Sequence, residues 1–276
     1  MKKISGLIRL VRPNNVAIAI LSVLLVAVLS GSFYPLRDII LATLAAALIM
    51  VGANVINDIC DIDIDRINKP NRPLVTRVVS VKEAYVLFIS SYIVGWICAI
   101  LISVEMLLIA VVVGLLLVAY SYKFKRTVII GNLIVSFSTA AAFLYGGLAV
   151  KQIEIAYFPA LFAFLYHFGR EIIKDLQDLE GDAASGAKTL ATEHGPRIVL
   201  KTVFITFALL IVVTILPYIL NIYGIIYMLI VIAGVYPVLI FVWFQCWKNP
   251  QPRNLGIMST VLKTDMLVGL VAIYFG

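Results

Sequence analysis

Long apolar stretches separated by short polar breaks run through most of the chain. Nine of these stretches have about the 20 residues that a helix needs to cross the hydrocarbon core of a bilayer. Two polar segments, 58–82 and 175–197, carry too many charged residues to face lipid. The pattern predicts helices at roughly 14–32, 38–57, 83–102, 105–122, 129–149, 156–174, 198–218, 223–246 and 256–275. We therefore expect an all-α bundle of nine transmembrane helices, with polar loops after helices 2 and 6.

The composition excludes a soluble globular protein. Of the 276 residues, 62% are hydrophobic and only 13% are charged, whereas soluble domains average roughly 45–50% and ~25%. So few charged residues cannot cover a surface that faces water. Nine spans leave almost no chain for a soluble domain, so we predict one polytopic membrane domain over residues 1–276.

The positive charge of the chain indicates its topology. The net charge is +7, from 22 basic and 15 acidic residues. If the N-terminus is cytoplasmic, nearly all the basic residues lie inside, and only Arg37 and Lys151 lie in outside loops. This asymmetry predicts a cell-membrane protein with cytoplasmic polar loops and a C-terminus outside. It also accounts for the basic character without a nucleic-acid partner, and we infer no obligate protein partner.

The acidic residues are concentrated in two groups, each at the end of an apolar helix. At about 100° per residue, the oxygen-bearing side chains of each group share one helix face. In the first group these are Asn54, Asn57, Asp58, Asp61 and Asp65, and in the second they are Glu171, Asp175, Asp178 and Asp182. By the same spacing, Asp63 and Glu180 fall outside these helix faces. Two acidic stripes at corresponding helix ends indicate a binding site.

Such stripes need a neutralising partner. Two carboxylates ~6 Å apart repel each other by ~3 kcal/mol at an effective dielectric of about 20. A hard divalent cation suits oxygen ligands, and Mg²⁺ is typically held by one or two carboxylates together with substrate phosphates. Basic residues that share this side of the membrane would complete a cradle for a diphosphate, with part of them serving topology alone. They are Arg66, Lys69, Arg72, Lys123, Lys125, Arg126, Arg170 and Lys174.

Two other interpretations of the acidic stripes remain open. A solvated acidic loop would need no ligand, but loops seldom align their acids on one face twice. An ion-coupled transporter also uses intramembrane acids, although those tend to lie near the middle of the membrane rather than at helix ends.

The paired motifs resemble those of the UbiA superfamily of intramembrane prenyltransferases. Asn57, Asp61 and Asp65 match its N-x-x-x-D-x-x-x-D motif, and Asp178 and Asp182 match its D-x-x-x-D motif. Three further family landmarks are matched by Arg12-Pro13, Asn71-Arg72-Pro73, and Tyr120-Ser121 with Lys123 and Lys125. The resemblance covers essentially the whole chain and implies a Mg²⁺-dependent enzyme whose two acidic groups converge on one prenyl diphosphate.

The resemblance also implies individual roles. Asn57, Asp61 and Asp65 would hold one Mg²⁺, and Asp178 and Asp182 would hold a second, with Asp58 and Asp175 in support. The lipid tails would lie among the helices. We expect Lys123, Lys125 and Arg126 to bind the phosphate of the acceptor, because they lie apart from both acidic groups.

Two loop strings narrow the resemblance. Residues 67–73 and the segment from Gly181 to Leu190 are similar to those of archaeal digeranylgeranylglyceryl phosphate synthases. Those enzymes transfer a geranylgeranyl group from its diphosphate to the free hydroxyl of geranylgeranylglyceryl phosphate, a step in ether-lipid synthesis. A related enzyme with another acceptor, such as a quinone precursor or a chlorophyllide, is the alternative.

Overall fold

A computed structural model describes residues 2–276, apart from the side chains of residues 67 and 68. Ile67 and Asn68 begin the first loop string, so their side chains lie outside the described residues. In the described range the chain is helical and contains no strand. The helices are α1 (Lys2–Val11), α2 (Pro13–Leu29), α3 (Leu36–Cys60), α4 (Ile62–Asn68), α5 (Val81–Ile100), α6 (Val104–Tyr122), α7 (Ile130–Ala149), α8 (Tyr157–Gln177), α9 (Leu179–Ala184), α10 (Leu190–Ile219), α11 (Ile225–Ile230), α12 (Tyr236–Lys248) and α13 (Pro252–Tyr274).

The helix lengths agree with a multi-pass membrane protein. Within residues 2–276, seven helices are long and apolar enough to cross a bilayer, or eight if α1 and α2, which meet at a 46° bend, form one span. Helix α8 coincides with the sixth predicted span, but four of its last eight residues are charged. It is therefore not among the seven helices that are apolar enough to cross a bilayer. The count of nine transmembrane helices therefore stays a prediction.

The two polar segments contain more helix than expected. Segment 58–82 includes the end of α3 and all of α4, and segment 175–197 includes α9 and the start of α10. Thr189 caps α10 by accepting a hydrogen bond from the Thr192 backbone, while Gly195 interrupts the helix with a φ of 73°. Glycine adopts this left-handed conformation without a steric penalty.

The chain packs as two compact units. The first comprises residues 2–124 and 141–156, and the second comprises residues 125–140 and 157–276. In the first unit, small residues such as Ala42, Ala45 and Ala99 allow close helix packing. In the second, Gly169 of α8 gives room for the ring of Phe207 from α10. The single domain over residues 1–276 stays a prediction.

Candidate functional site

The first acidic group lies in the first unit, where α3 and α4 are joined through a single residue. Asp61 has φ −95° and ψ 1°, in the sparsely populated bridge region where many active-site residues lie. The i to i−4 bonding nevertheless continues, because the Asp61 amide donates to the Asn57 carbonyl at 3.0 Å and the Asp65 amide to the Asp61 carbonyl at 2.7 Å. The helical spacing of Asn57, Asp61 and Asp65 is thus retained across the junction.

The oxygen-bearing side chains of this group are largely buried. Asp58, Asp61 and Asp65 are buried, whereas Asp63 is exposed. The Nδ2 of Asn57 donates to Oδ2 of Asp61 at 2.9 Å, which leaves the amide oxygen of Asn57 as an acceptor. Burial raises the pKa of the Asp65 carboxyl above its usual value, and the positive charge of the nearby Arg72 offsets only part of this increase. The face therefore presents acceptor oxygens, as a hard cation requires.

Asp58 is the most buried carboxylate of the group, and it is bound by two arginines. Both of its oxygens accept from Nη1 of Arg72 at 2.8 Å, and Arg12 also donates to it. The Nε of Arg72 lies 3.9 Å from Oδ2 of Asp65. Asp58 thus connects the α1–α2 junction to the loop after α4 and places Arg72 beside a motif aspartate.

The second acidic group lies in the second unit and has the same backbone arrangement. Asp178 joins α8 to α9 with φ −92° and ψ 6°. Its amide donates to the Lys174 carbonyl at 2.9 Å, and the Asp182 amide donates to the Asp178 carbonyl at 2.9 Å. Asp178 and Asp182 therefore keep the helical spacing that the sequence predicts.

The side chains of the second group are supported differently. Asp175 accepts a hydrogen bond of 2.8 Å from Nδ2 of Asn132 in α7. Glu171 is buried and accepts from Arg170 at 3.0 Å and from Lys174 at 2.8 Å. Within the described residues, no hydrogen bond or ion pair is seen at the Asp178 carboxylate. Two of the predicted basic residues thus neutralise Glu171.

The two groups align without a gap over twelve residues, 54–65 and 171–182. Asp58, Asp61 and Asp65 correspond to Asp175, Asp178 and Asp182. The exposed Asp63 corresponds to the exposed Glu180. Each unit therefore carries one copy of the same acidic element.

Of the remaining predicted basic residues, Arg66 lies in the last turn of α4 and the others lie on loops and turns. Arg66 forms an exposed ion pair of 3.1 Å with Asp63, and Lys69 is exposed. Lys123 lies over the ring of Phe124, 5.9 Å from its centroid. Lys125 and Arg126 belong to a short 3₁₀ turn, Phe124–Arg126. Their assignment to the acceptor phosphate stays a prediction.

Sequence reasoning missed two residues that hold these groups. Arg12 was noted only as part of the Arg12-Pro13 landmark, although its charge before an apolar helix suggested a specific partner. Asn132 is buried near the start of α7, and a polar amide inside an otherwise apolar span was the available signal. Neither partner could be identified from local spacing.

The donor set fits magnesium better than a softer metal. In the described part of the chain, no three or more His, Cys, Asp or Glu side chains form a group that could hold a metal ion alone. Mg²⁺ is usually held by only one or two carboxylates, with substrate phosphates and waters completing its shell. Each acidic group offers carboxylate oxygens of this kind.

Comparison with known proteins identifies similar chains. Residues 16–258 match the model of the UbiA prenyltransferase family. A digeranylgeranylglyceryl phosphate synthase of Methanobrevibacter smithii is 37% identical, over 98% of this chain and 96% of its own length. The synthase of Methanosphaera stadtmanae is 34% identical, over 98% of both chains.

Solved structures share the fold. A structure of a digeranylgeranylglyceryl phosphate synthase in membranes has a TM-score of 0.80 at 31% identity, covering 100% of this chain and 99% of that one. A UbiA homologue from Archaeoglobus fulgidus, bound to DMAPP and Mg²⁺, has a TM-score of 0.71 at 22% identity, covering 96% and 99%. At that identity the second likeness concerns the fold alone.

Proposed function

The chain belongs to the UbiA prenyltransferase family, and from this premise we propose its reaction. A geranylgeranyl group is transferred from geranylgeranyl diphosphate to the free hydroxyl of geranylgeranylglyceryl phosphate. The allylic carbon–oxygen bond to the diphosphate breaks, an ether bond forms, and the hydroxyl proton is released. The observation that carries the proposal is the repeated acidic element, in a chain similar over nearly its whole length to synthases of this name.

The repeated element supplies the diphosphate-binding groups of this proposal. We assign one Mg²⁺ to Asn57, Asp61 and Asp65, and a second to Asp178 and Asp182 with Asp175 in support. Bound Mg²⁺ would neutralise the charge that develops on the departing diphosphate. Binding of the same diphosphate by both acidic groups stays a prediction.

Arg72 is the basic residue best prepared to bind the diphosphate. Its guanidinium is held by Asp58 at 2.8 Å, so little side-chain entropy remains to be lost when an anion binds. Its Nε lies 3.9 Å from Oδ2 of Asp65, so the guanidinium lies beside a motif carboxylate. Lys123, Lys125 and Arg126 are assigned to the acceptor phosphate, and Arg66, Lys69, Arg170 and Lys174 to the general positive field.

Identification of the product tests the proposal. Purified protein is incubated with Mg²⁺, labelled geranylgeranyl diphosphate and geranylgeranylglyceryl phosphate, and the lipid product is analysed by mass spectrometry. We expect digeranylgeranylglyceryl phosphate and one inorganic diphosphate for each product molecule. Product formed only with an aromatic acid or a chlorophyllide would assign a different acceptor. Ion-driven uptake into vesicles without diphosphate release would instead identify a transporter.

We also propose an orientation for this multi-pass membrane protein. The distribution of basic residues supports a cytoplasmic N-terminus, cytoplasmic acidic groups and an external C-terminus. A single cysteine introduced at exposed Asp63, in a variant lacking native cysteines, should be labelled by an impermeant reagent only after spheroplasts are opened. Labelling of intact spheroplasts would reverse the orientation.

A further inference from the structure

The first unit contains a groove that the proposed reaction does not use. It lies between α1 and the loop before α5, and its volume is about 430 Å³. One wall is formed by Lys2, Ser5, Gly6 and Arg9. These positions follow the i, i+3, i+4, i+7 spacing of a single helix face. The opposite wall consists of Pro73, Thr76 and Val78.

Gly6 allows the two walls to meet at the base of the groove. A β-carbon at this position would lie 2.8 Å from Cγ1 of Val78, closer than packed atoms approach. The loop is also tied to the helix, because Nη2 of Arg9 donates to the Asn71 carbonyl at 2.7 Å. The groove is therefore a formed feature of the packing between helix and loop.

Helix α1 has the character of a helix that lies at a membrane surface. Ile4 and Ile8 are one turn apart and are 64% and 54% exposed, while Lys2, Lys3 and Arg9 are also exposed. Burying this many charges in hydrocarbon would be costly. The 46° bend at Arg12 turns α1 away from the direction of α2. Basic residues beside exposed apolar ones are typical of interfacial helices.

From these features we propose that the groove binds the headgroup of an anionic glycerophospholipid of the surrounding bilayer. Lys2 and Arg9 supply positive charge, and the hydroxyl of Ser5 lies between them on the same helix face. Lys3 is paired with Glu83, so its charge is already compensated. The exposed isoleucines of α1 lie beside the acyl chains of the same leaflet. The charge and position of the groove thus select a phosphate-bearing lipid of the bilayer.

The bound lipid would also stabilise the first acidic group. Arg9 holds the backbone of Asn71, and the next residue, Arg72, holds Asp58. Arg12, one turn beyond Arg9, donates to the same carboxylate. A headgroup in the groove fixes α1 and this loop together, and with them the two arginines that surround Asp58.

Lipid retention by the purified full-length protein tests the proposal without any activity assay. The protein is exchanged into detergent with dioleoyl phosphatidylglycerol or zwitterionic dioleoyl phosphatidylcholine, and bound lipid is counted by native mass spectrometry. We expect selective retention of phosphatidylglycerol. Lys2→Ala should weaken it about fivefold, which corresponds to the ~1 kcal/mol that one basic residue contributes near an anionic surface. Ser5→Trp, which fills the groove and keeps both cations, should abolish it.

Lys82→Ala is the matched control, because Lys82 is an exposed base of the same unit that does not line the groove. We expect it to retain the lipid as the wild type does. Equal retention of phosphatidylcholine, an equal loss in Lys82→Ala, or unchanged retention in both Lys2→Ala and Ser5→Trp would overturn the proposal. Thermal unfolding is compared in detergent without added lipid, where unchanged unfolding of the variants separates loss of the lipid site from loss of the fold.

Discussion

The segments 54–65 and 171–182 carry the same acidic element but hold one pair of corresponding aspartates by different means. In both, an aspartate in the bridge conformation joins a long helix to a short one, and the next motif aspartate follows four residues later. In the first segment, Asp58 is held by two arginines. In the second, the corresponding Asp175 is held by the neutral amide of Asn132. The backbone is repeated while the supporting side chains are not.

This difference separates two kinds of constraint. Positions 57, 61 and 65, and likewise 178 and 182, depend on helical periodicity, so a local pattern is sufficient to define them. At positions 58 and 175 the supporting residues lie outside the acidic helices and only need to balance charge and hydrogen bonds. Two arginines do this at Asp58, and an amide does it at Asp175. Substitutions at corresponding positions can therefore distinguish ligand-binding roles from supporting roles.

The largest effect should follow removal of either junction aspartate. Asp61→Ala and Asp178→Ala should each lower Mg²⁺-dependent diphosphate release by roughly 10³-fold, the upper range for loss of one preorganised group that stabilises transition-state charge. The double variant should be little worse than either single variant if both groups act on the same diphosphate, because residues that act as a unit are not additive. Release is measured by a coupled pyrophosphate assay.

Two outcomes would contradict this prediction. Unchanged release in both single variants would remove the catalytic role of the acidic groups. If the loss of activity in the double variant equals the product of the two single losses, the two acidic groups act independently rather than on the same diphosphate.

The next largest effect is a difference in unfolding free energy between substitutions at the corresponding positions 58 and 175. Asp58→Asn should lower the free energy of unfolding by about 2–4 kcal/mol, because two partly buried guanidiniums lose their counter-charge. Asp175→Asn should cost ~1 kcal/mol or less, because an amide can still bond to Asn132. Thermal unfolding of both variants in the same detergent compares them directly. Equal changes in the unfolding temperature would show that the two arginines at Asp58 contribute no more stability than Asn132 does at Asp175.

A smaller effect should separate Asn132 from the ligands it supports. Asn132→Ala removes the hydrogen bond to Asp175, and we expect roughly tenfold lower activity together with a higher Mg²⁺ concentration for half-maximal rate. Ser138→Ala is the matched control, because its buried hydroxyl donates to the Ile134 carbonyl within α7 itself. Mn²⁺ binding followed by electron paramagnetic resonance reports the same loss without turnover. Equal behaviour of the two variants would exclude a positioning role for Asn132.

The sequence was sufficient for the helical membrane fold and for the spacing of Asn57, Asp61, Asp65, Asp178 and Asp182, because apolar length and helical periodicity are local properties. It was not sufficient for the helix boundaries in the polar segments, where α4 and α9 follow Asp61 and Asp178 as separate short helices. Nor did it identify Arg12 and Asn132 as the partners of Asp58 and Asp175. Those contacts join residues 46 and 43 positions apart, and helix packing determines them.

The smallest effect should come from the acids that point away in both segments. Asp63 and Glu180 occupy corresponding positions and are exposed. Asp63 forms an exposed ion pair with Arg66. Such pairs contribute ~0–1 kcal/mol, so Asp63→Ala and Glu180→Ala should change activity less than about twofold. The same pyrophosphate assay applies. A large loss of activity in Asp63→Ala alone would mean that Arg66 binds the diphosphate only when Asp63 holds its side chain in place. A large loss in both would show that the helix-face argument for the ligand positions is wrong.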